Sequence, residues 1–243
     1  MITRRNALVL GAGGLLAGCD SMTNDPWLLS AEDAHRFLQR SITGRAALAH
    51  QYRPEQRSPL FRTNGTRNPN TPEYNALAAG RFADWRLQVD GLVARPLSLS
   101  LAQLQSLPQR AQITRHDCVE GWSAIAKWRG VPLAEIIRRA QPAADAQYIV
   151  FHCMDTYSDR THYYESIDWT DANHPQTILA YEMNDRLLPV EHGAPLRLRV
   201  ETQLGYKHAK YIRRIEFVAD FKNIRQGKGG YWEDQGYEWY AGI

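Results

Sequence analysis

The chain has 243 residues, 44% of them hydrophobic, and a formal net charge of +3. This length and composition suffice for one large or two small folded domains, and they exclude a disordered protein or an array of very small modules. The charge falls to +1 once a leader containing Arg4 and Arg5 is removed, so bulk charge gives no reason to expect nucleic-acid binding. The longest apolar run, Ala7 to Gly18, is shorter than the roughly 18 residues that a membrane-spanning helix needs.

The first nineteen residues are predicted to be an export signal. Arg4 and Arg5 precede an apolar stretch of small residues, which ends in the string Leu16-Ala17-Gly18-Cys19. A charged start followed by a short apolar segment is typical of a signal peptide, and the arginine pair resembles a twin-arginine signal. The last four residues resemble a bacterial lipobox, which predicts cleavage after residue 18 and a lipid anchor on Cys19. The alternative is cleavage nearby, with Cys19 left as an ordinary thiol.

Export also bears on the cofactor and on the remaining cysteines. A twin-arginine route suits enzymes that fold around a complex cofactor in the cytoplasm, and it predicts a periplasmic mature protein. Only Cys118 and Cys153 remain if Cys19 carries the lipid. On cysteine count alone, a disulfide between these two is as good an expectation as two free thiols.

The elements predicted along the body of the chain are short, and strands outnumber helices. In chain order they are a strand over Trp85–Val89, a helix over Ser100–Leu107, a strand over Gln112–Arg115, a helix over Pro132–Ala140, and strands over Gln147–Cys153, Leu196–Val200 and Tyr211–Val218. Asp90-Gly91 is predicted to turn the chain after the first strand. Because the connections are irregular, we predict a single mixed, strand-rich α+β domain.

Two segments flank the predicted domain, which spans residues 61–221. Residues 19–60 are predicted to form an N-terminal arm packed on the domain, with one amphipathic helix over Ser30–Arg40. Residues 222–243 are dense in aromatic side chains. Aromatic side chains bury large areas, so this tail is predicted to pack over the domain as a clasp. Lining the mouth of a substrate funnel and docking a redox partner are its alternative roles.

Cys118 lies in the string Arg115-His116-Asp117-Cys118-Val119-Glu120-Gly121-Trp122-Ser123, directly after a predicted strand. Neighbouring cations lower the pKa of a thiol, and the thiolate is the form that binds metals. A four-ligand zinc site is not expected, because no second cysteine lies nearby. The same residues leave open a cysteine nucleophile with His116 as its base.

This string, together with Trp128-Arg-Gly-Val-Pro-Leu133, resembles the molybdenum-binding loop of the sulfite oxidase family. The resemblance runs from about Phe61 to Phe221 and implies the sulfite oxidase molybdopterin-binding fold. In that family a cysteine thiolate and a single pterin together bind molybdenum, which implies that Cys118 is the metal ligand. The resemblance further implies oxygen-atom transfer, as sulfite oxidation or sulfoxide reduction, with electrons passing through an external carrier such as a haem protein.

The resemblance also supplies residues that would hold the pterin and its phosphate, a task that needs cations and polar groups from several loops. These candidates are Asn64, Asp155 (with Cys153 as its alternative), His192, Arg197, His208, Ala209 and Lys210. The planar guanidinium of Arg197 suits a bidentate contact, whereas Lys210 would act as a point charge. Arg115, with Arg62, is the candidate for binding a small oxyanion substrate near the metal.

In size and in its export signal the chain resembles one branch of the family, the catalytic subunits of periplasmic methionine sulfoxide reductases. His116-Asp117 and His192 differ from the usual residues of that branch, so the substrate stays open between a small oxyanion and a sulfoxide. The segment Gly205-Tyr206-Lys207-His208-Ala209-Lys210 resembles the family's loop that wraps the phosphate. The dimerisation domain of larger members does not follow this loop, which predicts a monomer. A cysteine-dependent enzyme and a non-enzymatic binding lipoprotein that keeps the fold are the alternatives.

Overall fold

The structure is a computed structural model that describes residues 44–157 and 160–243. The main folded unit is Leu48–Ile243, and the fold below is that unit's. The predicted export signal, the lipobox at Cys19 and the amphipathic stretch Ser30–Arg40 lie outside the described residues. Within the described part, no helix combines the length and the apolar character needed to cross a membrane.

The first sheet has five strands in the order β2-β1-β10-β5-β6. These strands are β1 (Arg86–Gly91), β2 (Leu97–Ser100), β5 (Tyr148–Thr156), β6 (His162–Asp168) and β10 (Ile212–Val218). β1 and β10 pair in parallel, and the other neighbours are antiparallel. Leu87 and Val89 of β1 alternate inward, whereas β5 is buried through consecutive residues such as Val150 and Phe151. β5 is therefore covered on both faces, and its far end can reach a site inside the protein.

The second sheet has the order β3-β4-β7-β8, and a short strand β9 also pairs with β7. Its strands are β3 (Arg110–Asp117), β4 (Ser123–Pro132), β7 (Ile178–Met183), β8 (Arg186–Leu187) and β9 (Arg197–Arg199). β3 and β4 form a hairpin that closes at the pair Asp117 and Ser123. A Cβ atom on Gly130 would lie 2.0 Å from the carbonyl oxygen of Leu179, so glycine permits the close approach of β4 to β7. The tip of the hairpin carries Cys118.

The described helices are short, and three of them directly follow a strand. They are α1 (Pro72–Ala79), α2 (Leu101–Gln105), α3 (Leu133–Ala140), α4 (Trp169–Ala172) and α5 (Tyr231–Asp234), with 3₁₀ turns at Pro54–Gln56, Val190–His192 and Gly205–Lys207. Ser100 and Gln103 form a capping box at the start of α2. α3 buries Leu133 and Ile136 on one face and ends at Gln141, whose φ of 53° is left-handed.

Two apolar clusters form the core. The larger cluster draws on both sheets and on α3, and so joins the sheets. The smaller cluster surrounds Phe61, whose ring meets Trp128 edge-on at 5.5 Å and His192 edge-on at 5.5 Å. Phe61 also lies 5.6 Å from the ring of His116. This smaller cluster therefore lies directly behind the hairpin that carries Cys118.

The predicted α+β class is confirmed. Most of the predicted helices and strands are present, and their ends differ from the observed ends by a few residues. The strand over Gln112–Arg115 extends in both directions to become β3, and the helix predicted from Pro132 begins at Leu133 because Pro132 is its N-cap. The prediction missed β4. Its inward positions include Ala124 and Ala126, and alanine is uncommon in strands, so the alternation is weak in the sequence.

Both segments that flank the predicted domain make backbone contacts with it. Before the domain, the amide of Tyr52 donates to the carbonyl of Ile113 in β3 at 2.9 Å. After it, the amide of Leu204 donates to the carbonyl of Ala241 at 2.8 Å, and Trp239 Nε1 donates to Ser166 Oγ at 2.8 Å. The aromatic tail is thus held along the 3₁₀ turn at Gly205–Lys207 and along β6.

Candidate functional site

A cleft opens at the tip of the β3–β4 hairpin and encloses about 610 Å³, including its open mouth. Segments that are far apart in sequence meet there: the loop after Phe61, the hairpin tip, the end of β5, the turn at Gly205–Lys207 and the aromatic tail. The predicted site residues that line this cleft are Asn64, Cys118, Asp155, His208 and Lys210. The structure therefore brings together five residues that the resemblance singled out.

Cys118 is fixed by backbone hydrogen bonds within the hairpin tip. Its amide donates to the carbonyl of Trp122 at 2.9 Å, and its carbonyl accepts from the amide of Gly121 at 3.0 Å. Gly121 has a φ of +83°, which glycine adopts without strain. Cys118 and Cys153 are free thiols in the structure, so the disulfide alternative is not realised. Cys153 is buried in the larger apolar core.

The expectation that neighbouring cations lower the pKa of Cys118 is wrong for the thiol on its own. Burial raises the pKa of Cys118. The two cations named by the sequence do not compensate: Arg115 Nε pairs with Asp117 Oδ1 at 2.8 Å, and His116 is turned into the interior. A bound metal ion would itself favour the thiolate, because metal ligation displaces the thiol proton.

The structure does not bring Arg115 to the cleft. Successive side chains of a strand point to opposite faces, and in β3 it is His116 that faces the protein interior while Arg115 faces out. The Arg115 side chain is 53% exposed. Arg62, the other candidate for anion binding, is also exposed and lines a different surface groove. Neither arginine is among the residues that line the cleft.

A buried polar chain holds His116 in place behind the cysteine loop. Arg199 Nη1 donates to His116 Nδ1 at 2.9 Å, so the neutral imidazole carries its proton on Nε2. Arg199 is itself paired with Glu201 through Nε to Oε1 at 2.9 Å and Nη2 to Oε2 at 2.5 Å. Gln112 Nε2 also donates to Glu201 Oε1, at 2.9 Å. Burial, then His208 and Arg199, lowers the pKa of His116 well below its ordinary value.

The 3₁₀ turn at Gly205–Lys207 approaches the cysteine loop closely at Gly205. A Cβ atom on Gly205 would lie 2.4 Å from His116 Nε2 and 3.3 Å from the carbonyl oxygen of Asp117. Neither neighbour is free to move, because the imidazole is held by Arg199 and the carbonyl belongs to β3. Glycine at this position lets the turn and the hairpin pack together at the floor of the cleft.

Arg197 is a buried cation whose donors are only partly used. Its side chain is fully buried and its Nη1 donates to the carbonyl of His192 at 3.0 Å. Its Nε and Nη2 have no hydrogen-bond partner. Burial, then the charge of Arg199, lowers the pKa of Arg197 to about 9. Both guanidinium groups lie over the ring of Trp128, at 5.0 Å for Arg197 and 4.4 Å for Arg199.

Lys210 joins three backbone segments at the floor of the cleft. Its Nζ donates to the carbonyls of Asn64 at 2.6 Å, Glu191 at 3.2 Å and Thr66. Burial, then the charge of Arg197, lowers the pKa of Lys210 to about 7. Lys210 thus fixes the loop that carries Asn64 against the Val190–His192 turn.

Several buried polar atoms around the floor have no partner in the structure. They are Asn64 Oδ1, Asp155 Oδ1, His192 Nδ1 and His208 Nδ1. Burial raises the pKa of Asp155 to about 6 and lowers that of His192 to about 4. His208 Nε2 donates to the carbonyl of Gln203 at 3.0 Å, which leaves Nδ1 as an unused acceptor. Buried polar atoms are normally hydrogen-bonded, so this group of atoms indicates a polar ligand.

His192, Arg197 and Ala209 belong to the layer behind the cleft and not to its lining. Ala209 is fully buried, and its carbonyl accepts from the amide of Leu198 at 2.8 Å. His192 is buried against Phe61, and its carbonyl receives the hydrogen bond from Arg197. These residues support the floor through the backbone and through charge.

The sequence interpretation missed the aromatic side of the cleft. The aromatic residues that line it are Tyr157, Tyr163, Tyr206, Trp232 and Tyr237. Tyr157 and Tyr163 lie where no motif marks them, and Tyr206 lies within the segment predicted to wrap the phosphate but is not among its predicted site residues. Trp232 and Tyr237 belong to the aromatic tail, whose composition was the one available signal.

Comparisons with known proteins decide the family. The model of the oxidoreductase molybdopterin-binding domain matches residues 74–224. The chain belongs to this family. A solved structure of the sulfane dehydrogenase SoxCD from Paracoccus pantotrophus matches with a TM-score of 0.51 and 22% identity, over 57% of this chain and 39% of that chain. That likeness supports the molybdopterin-binding fold alone.

Curated relatives share more of the sequence. The chain is 37% identical over 98% of its length to a provisionally named protein-methionine-sulfoxide reductase subunit, YedZ1, of Azospira oryzae, and covers 86% of that protein. It is also 37% identical to the protein-methionine-sulfoxide reductase catalytic subunits MsrP of Ralstonia nicotianae and Xanthomonas axonopodis. Those matches cover 55% and 57% of this chain and 44% and 46% of the relatives, so it spans under half of either MsrP. The predicted family is confirmed, and the protein is a molybdopterin-dependent oxidoreductase.

The residues of this molybdopterin oxidoreductase fit the cofactor that the family implies. A pterin with its phosphate needs hydrogen-bonding partners and cations in a mostly buried site. The unused atoms of Asn64, Asp155 and His208 supply the first, and Lys210 at the floor and Arg197 behind it supply the second. The described residues contain no cluster of three or more His, Cys, Asp or Glu that could hold a bare metal ion.

Proposed function

We propose that this protein is an exported molybdenum enzyme that reduces a sulfoxide, with Cys118 as its ligand to molybdenum and with one pterin. One observation carries the proposal: a half-buried thiol shares the floor of a cleft with buried polar atoms that lack partners. Asn64, Asp155 and His208 provide those atoms, and the unpaired cation Arg197 lies behind them. Such a set suits a polar, anionic cofactor and costs stability without one.

The floor residues divide into those that touch the cofactor and those that position it. Asn64, Asp155 and His208 line the cleft and would accept or donate hydrogen bonds to the pterin, whereas the buried charge of Arg197, in the layer behind, would attract its phosphate. Lys210 and His192 would hold the loops, and Ala209 would contribute main chain. Bound molybdenum supplies two-electron chemistry with transfer of an oxygen atom. Arg115 has no role in this proposal, because its side chain faces away from the cleft.

The relatives favour sulfoxide reduction over sulfite oxidation, since three of them are named for methionine sulfoxide. In that reaction the S–O bond breaks, sulfur gains two electrons, and the oxygen leaves as water after taking up two protons. An external one-electron carrier, such as a haem protein, would deliver the electrons in two steps. The structure assigns no residue to that carrier.

The alternatives are a cysteine-dependent enzyme and a binding lipoprotein. The geometry does not favour the cysteine-dependent enzyme. A nucleophilic thiol needs a base that can take its proton. His116, the base named by the sequence, accepts a hydrogen bond from Arg199 at Nδ1 and packs its Nε2 side against Gly205. It has no free acceptor with which to activate Cys118.

Metal and pterin analysis tests the proposal. The protein would be matured in a host that makes and exports molybdopterin enzymes, and sulfoxide reduction would be followed with reduced viologen dye. We expect near-stoichiometric molybdenum and pterin in the wild type. Cys118→Ser is expected to lose turnover and keep most of its pterin, because the other contacts remain, whereas Cys153→Ala, a buried thiol off the cleft, keeps both. Well-folded wild type without molybdenum, or full turnover in Cys118→Ser, contradicts the proposal.

The location of the protein is a separate part of the proposal. The leader supports export to the periplasm, and the lipobox supports a lipid anchor on Cys19. Replacing Cys19 with alanine is expected to move the protein from the membrane fraction to the soluble periplasmic fraction. Membrane attachment that survives this change would show a protein partner or an uncleaved leader instead of a lipid.

A further inference from the structure

The floor and the mouth of the cleft differ in chemistry. The floor residues Asn64, Asp155, His208 and Lys210 are polar and at most 9% exposed. The mouth is formed by Val119, Glu120, Trp232 and Tyr237, of which Val119 is 47% and Tyr237 39% exposed. A cofactor held at the floor would leave this second set to meet the substrate. The mouth is therefore where selectivity for the substrate would arise.

The aromatic residues of the mouth form a wall fixed by ring packing. Trp232 and Tyr237 lie 5.2 Å apart at 31°, and Tyr206 meets Tyr237 edge-on at 5.3 Å. Tyr157 meets Trp232 edge-on at 5.6 Å. The amide of Tyr237 donates to the carbonyl of Trp232 at 3.0 Å, and the turn between them uses Gly236, whose φ is +100°. The two tail aromatics are thus presented as one surface.

Buried polar contacts attach this wall to the domain. Lys207 Nζ pairs with Glu233 Oε1 at 2.6 Å and with Glu165, and all three side chains are buried. Lys207 belongs to the turn beneath the cleft, and Glu233 is the residue after Trp232 in α5. Because the ion pair joins the turn to the tail, the wall keeps a fixed distance from the floor.

The charge at the mouth disfavours anions. Glu120 lines the cleft, and its Oε2 accepts a hydrogen bond from Trp122 Nε1 at 2.9 Å, which fixes the carboxylate there. Among the described residues that line the cleft, Lys210 is the one lysine or arginine, and its ammonium already donates to three carbonyls. An oxyanion would meet a like charge and no available cation.

We infer that Trp232 and Tyr237 bind the apolar flank of a neutral sulfoxide, such as a methionine sulfoxide side chain, and that Glu120 excludes oxyanions such as sulfite. Thioether carbons and sulfur pack favourably on aromatic rings, and an uncharged S=O group is not repelled by the carboxylate. Trp232 and Tyr237 lie after residue 224, beyond the part of the chain matched by the family model. This inference rests on the proposed function and adds the residues that choose the substrate.

The aromatic wall is tested with two neutral sulfoxides of different size. We would measure KM and kcat of the holoenzyme for N-acetylmethionine sulfoxide methylamide and for dimethyl sulfoxide, and bind the first to oxidised holoenzyme by calorimetry. Trp232→Leu and the more exposed Tyr237→Ser are each expected to weaken binding of the larger compound about tenfold, as loss of an aromatic contact does. KM for dimethyl sulfoxide should change less than about threefold, and molybdenum content should stay at the wild-type level. Trp169→Leu is the control.

Trp169 is a suitable control because it lies at the other end of β5, where its Nε1 donates to the carbonyl of Ala146 at 2.7 Å. The charge is tested with Glu120→Gln in the holoenzyme, for which inhibition by sulfate is expected to tighten about fivefold or more at low salt relative to the KM for the neutral sulfoxides. Asp145→Asn removes an exposed carboxylate near that same end of β5 and should alter neither value.

The outcomes separate the inference from the function on which it rests. If wild type contains molybdenum and reduces sulfoxides, but the variants retain wild-type selectivity and calorimetric affinity, the wall and the carboxylate do not choose the substrate and the inference is wrong. A parallel loss of both sulfoxides together with molybdenum would also overturn it, since it would assign the wall to the cofactor. A wild type without molybdenum or sulfoxide turnover would instead overturn the proposed function.

Discussion

Replacing Arg197 with methionine is expected to stabilise the cofactor-free protein and to abolish cofactor loading. The guanidinium is fully buried, and two of its donor atoms, Nε and Nη2, have no partner. The nearby cation Arg199 repels it, and the carboxylate of Glu201 is already committed to Arg199 by two hydrogen bonds. In the absence of an anion, the charge of Arg197 is therefore a cost that an apolar side chain of similar length removes.

The size of the effect follows from the pKa and the contacts. The pKa of Arg197 falls from its ordinary value to about 9, which corresponds to a penalty on the charged form on the order of 5 kcal/mol. Methionine forfeits the hydrogen bond to His192, worth about 1 kcal/mol, and the contact with Trp128, worth about 1–2 kcal/mol. A net gain of about 1–3 kcal/mol remains, consistent with other replacements of buried charges. For a domain of this size, Tm should rise by roughly 2–12 °C.

Thermal unfolding in phosphate-free buffer measures the effect, using protein from a host unable to make molybdopterin. Arg199→Met is the matched control, because it removes an equally buried guanidinium but leaves Glu201 unpaired, and it should cost about 3–5 kcal/mol. In a host that makes the cofactor, wild type should gain both molybdenum and Tm, since a ligand that binds the native state stabilises it. Arg197→Met should gain neither.

Two results would contradict this role of Arg197: a Tm of Arg197→Met below that of the cofactor-free wild type, or full molybdenum loading of the variant. A lower Tm would show that Arg197 serves the fold through His192 and Trp128. Normal loading would show that the phosphate is held elsewhere. A buried arginine with an essential structural contact cannot give the expected combination of higher stability and lost cofactor.

Three further changes are expected to have defined effects. Gly205→Ala should lower the free energy of unfolding by at least about 1–3 kcal/mol in a urea titration and should lower the molybdenum content, because its Cβ would lie 2.4 Å from His116 Nε2. Gly80→Ala is the control. Its Cβ has ordinary contacts of 3.5 Å or more, so its free energy of unfolding should stay within about 0.5 kcal/mol of wild type. The pKa of His192 is lowered to about 4 in the folded protein, so its imidazole is protonated at higher pH in the unfolded chain, and stability falls as pH drops below about 6.5. His192→Gln should reduce the loss of stability between pH 7.5 and pH 5 by about 2 kcal/mol. An unchanged loss of stability would contradict the lowered pKa of His192. Burial and Glu233 raise the pKa of Glu165 well above its ordinary value, so Glu165→Gln should lower the free energy of unfolding by less than about 1.5 kcal/mol. Lys207→Met leaves the buried Glu233 carboxylate unpaired and should cost about 3–5 kcal/mol. Equal costs of the two changes would contradict the raised pKa of Glu165.

The sequence was sufficient to find the family and the floor of the cleft, because the string around Cys118 is long and specific. Asn64, Asp155 and Lys210 were placed by the order of their own segments around that string, and all three line the cleft. The hairpin that presents Cys118 was not predicted. Alternating alanines in β4 carry little hydrophobic contrast, so the pairing of β3 with β4 is decided by tertiary contacts.

Other features of the site depend on which face of a strand a residue occupies. A shift of one residue reverses every side chain of a strand, and this decides between Arg115 and His116. The sequence prediction chose Arg115 for its charge, although the next position along β3 is the one that faces inward. The bond between Arg199 and His116 joins residues 83 positions apart. No local sequence pattern predicts such a hydrogen bond, because the bond depends on how β9 lies relative to the hairpin.

The buried groups of the floor also connect the site with the proposed route of export. The fold buries Arg197 and several polar atoms that no other protein atom satisfies, and without a ligand each such group would cost about 1–3 kcal/mol against a total stability of about 5–15 kcal/mol. A bound anionic cofactor would satisfy these groups and so contribute directly to folding. The mature fold would then be most stable after the cofactor is inserted, and the unloaded protein would stay the less stable species. A leader that resembles a signal for folded proteins suits this order of events, because cofactor insertion and final folding would both precede transport.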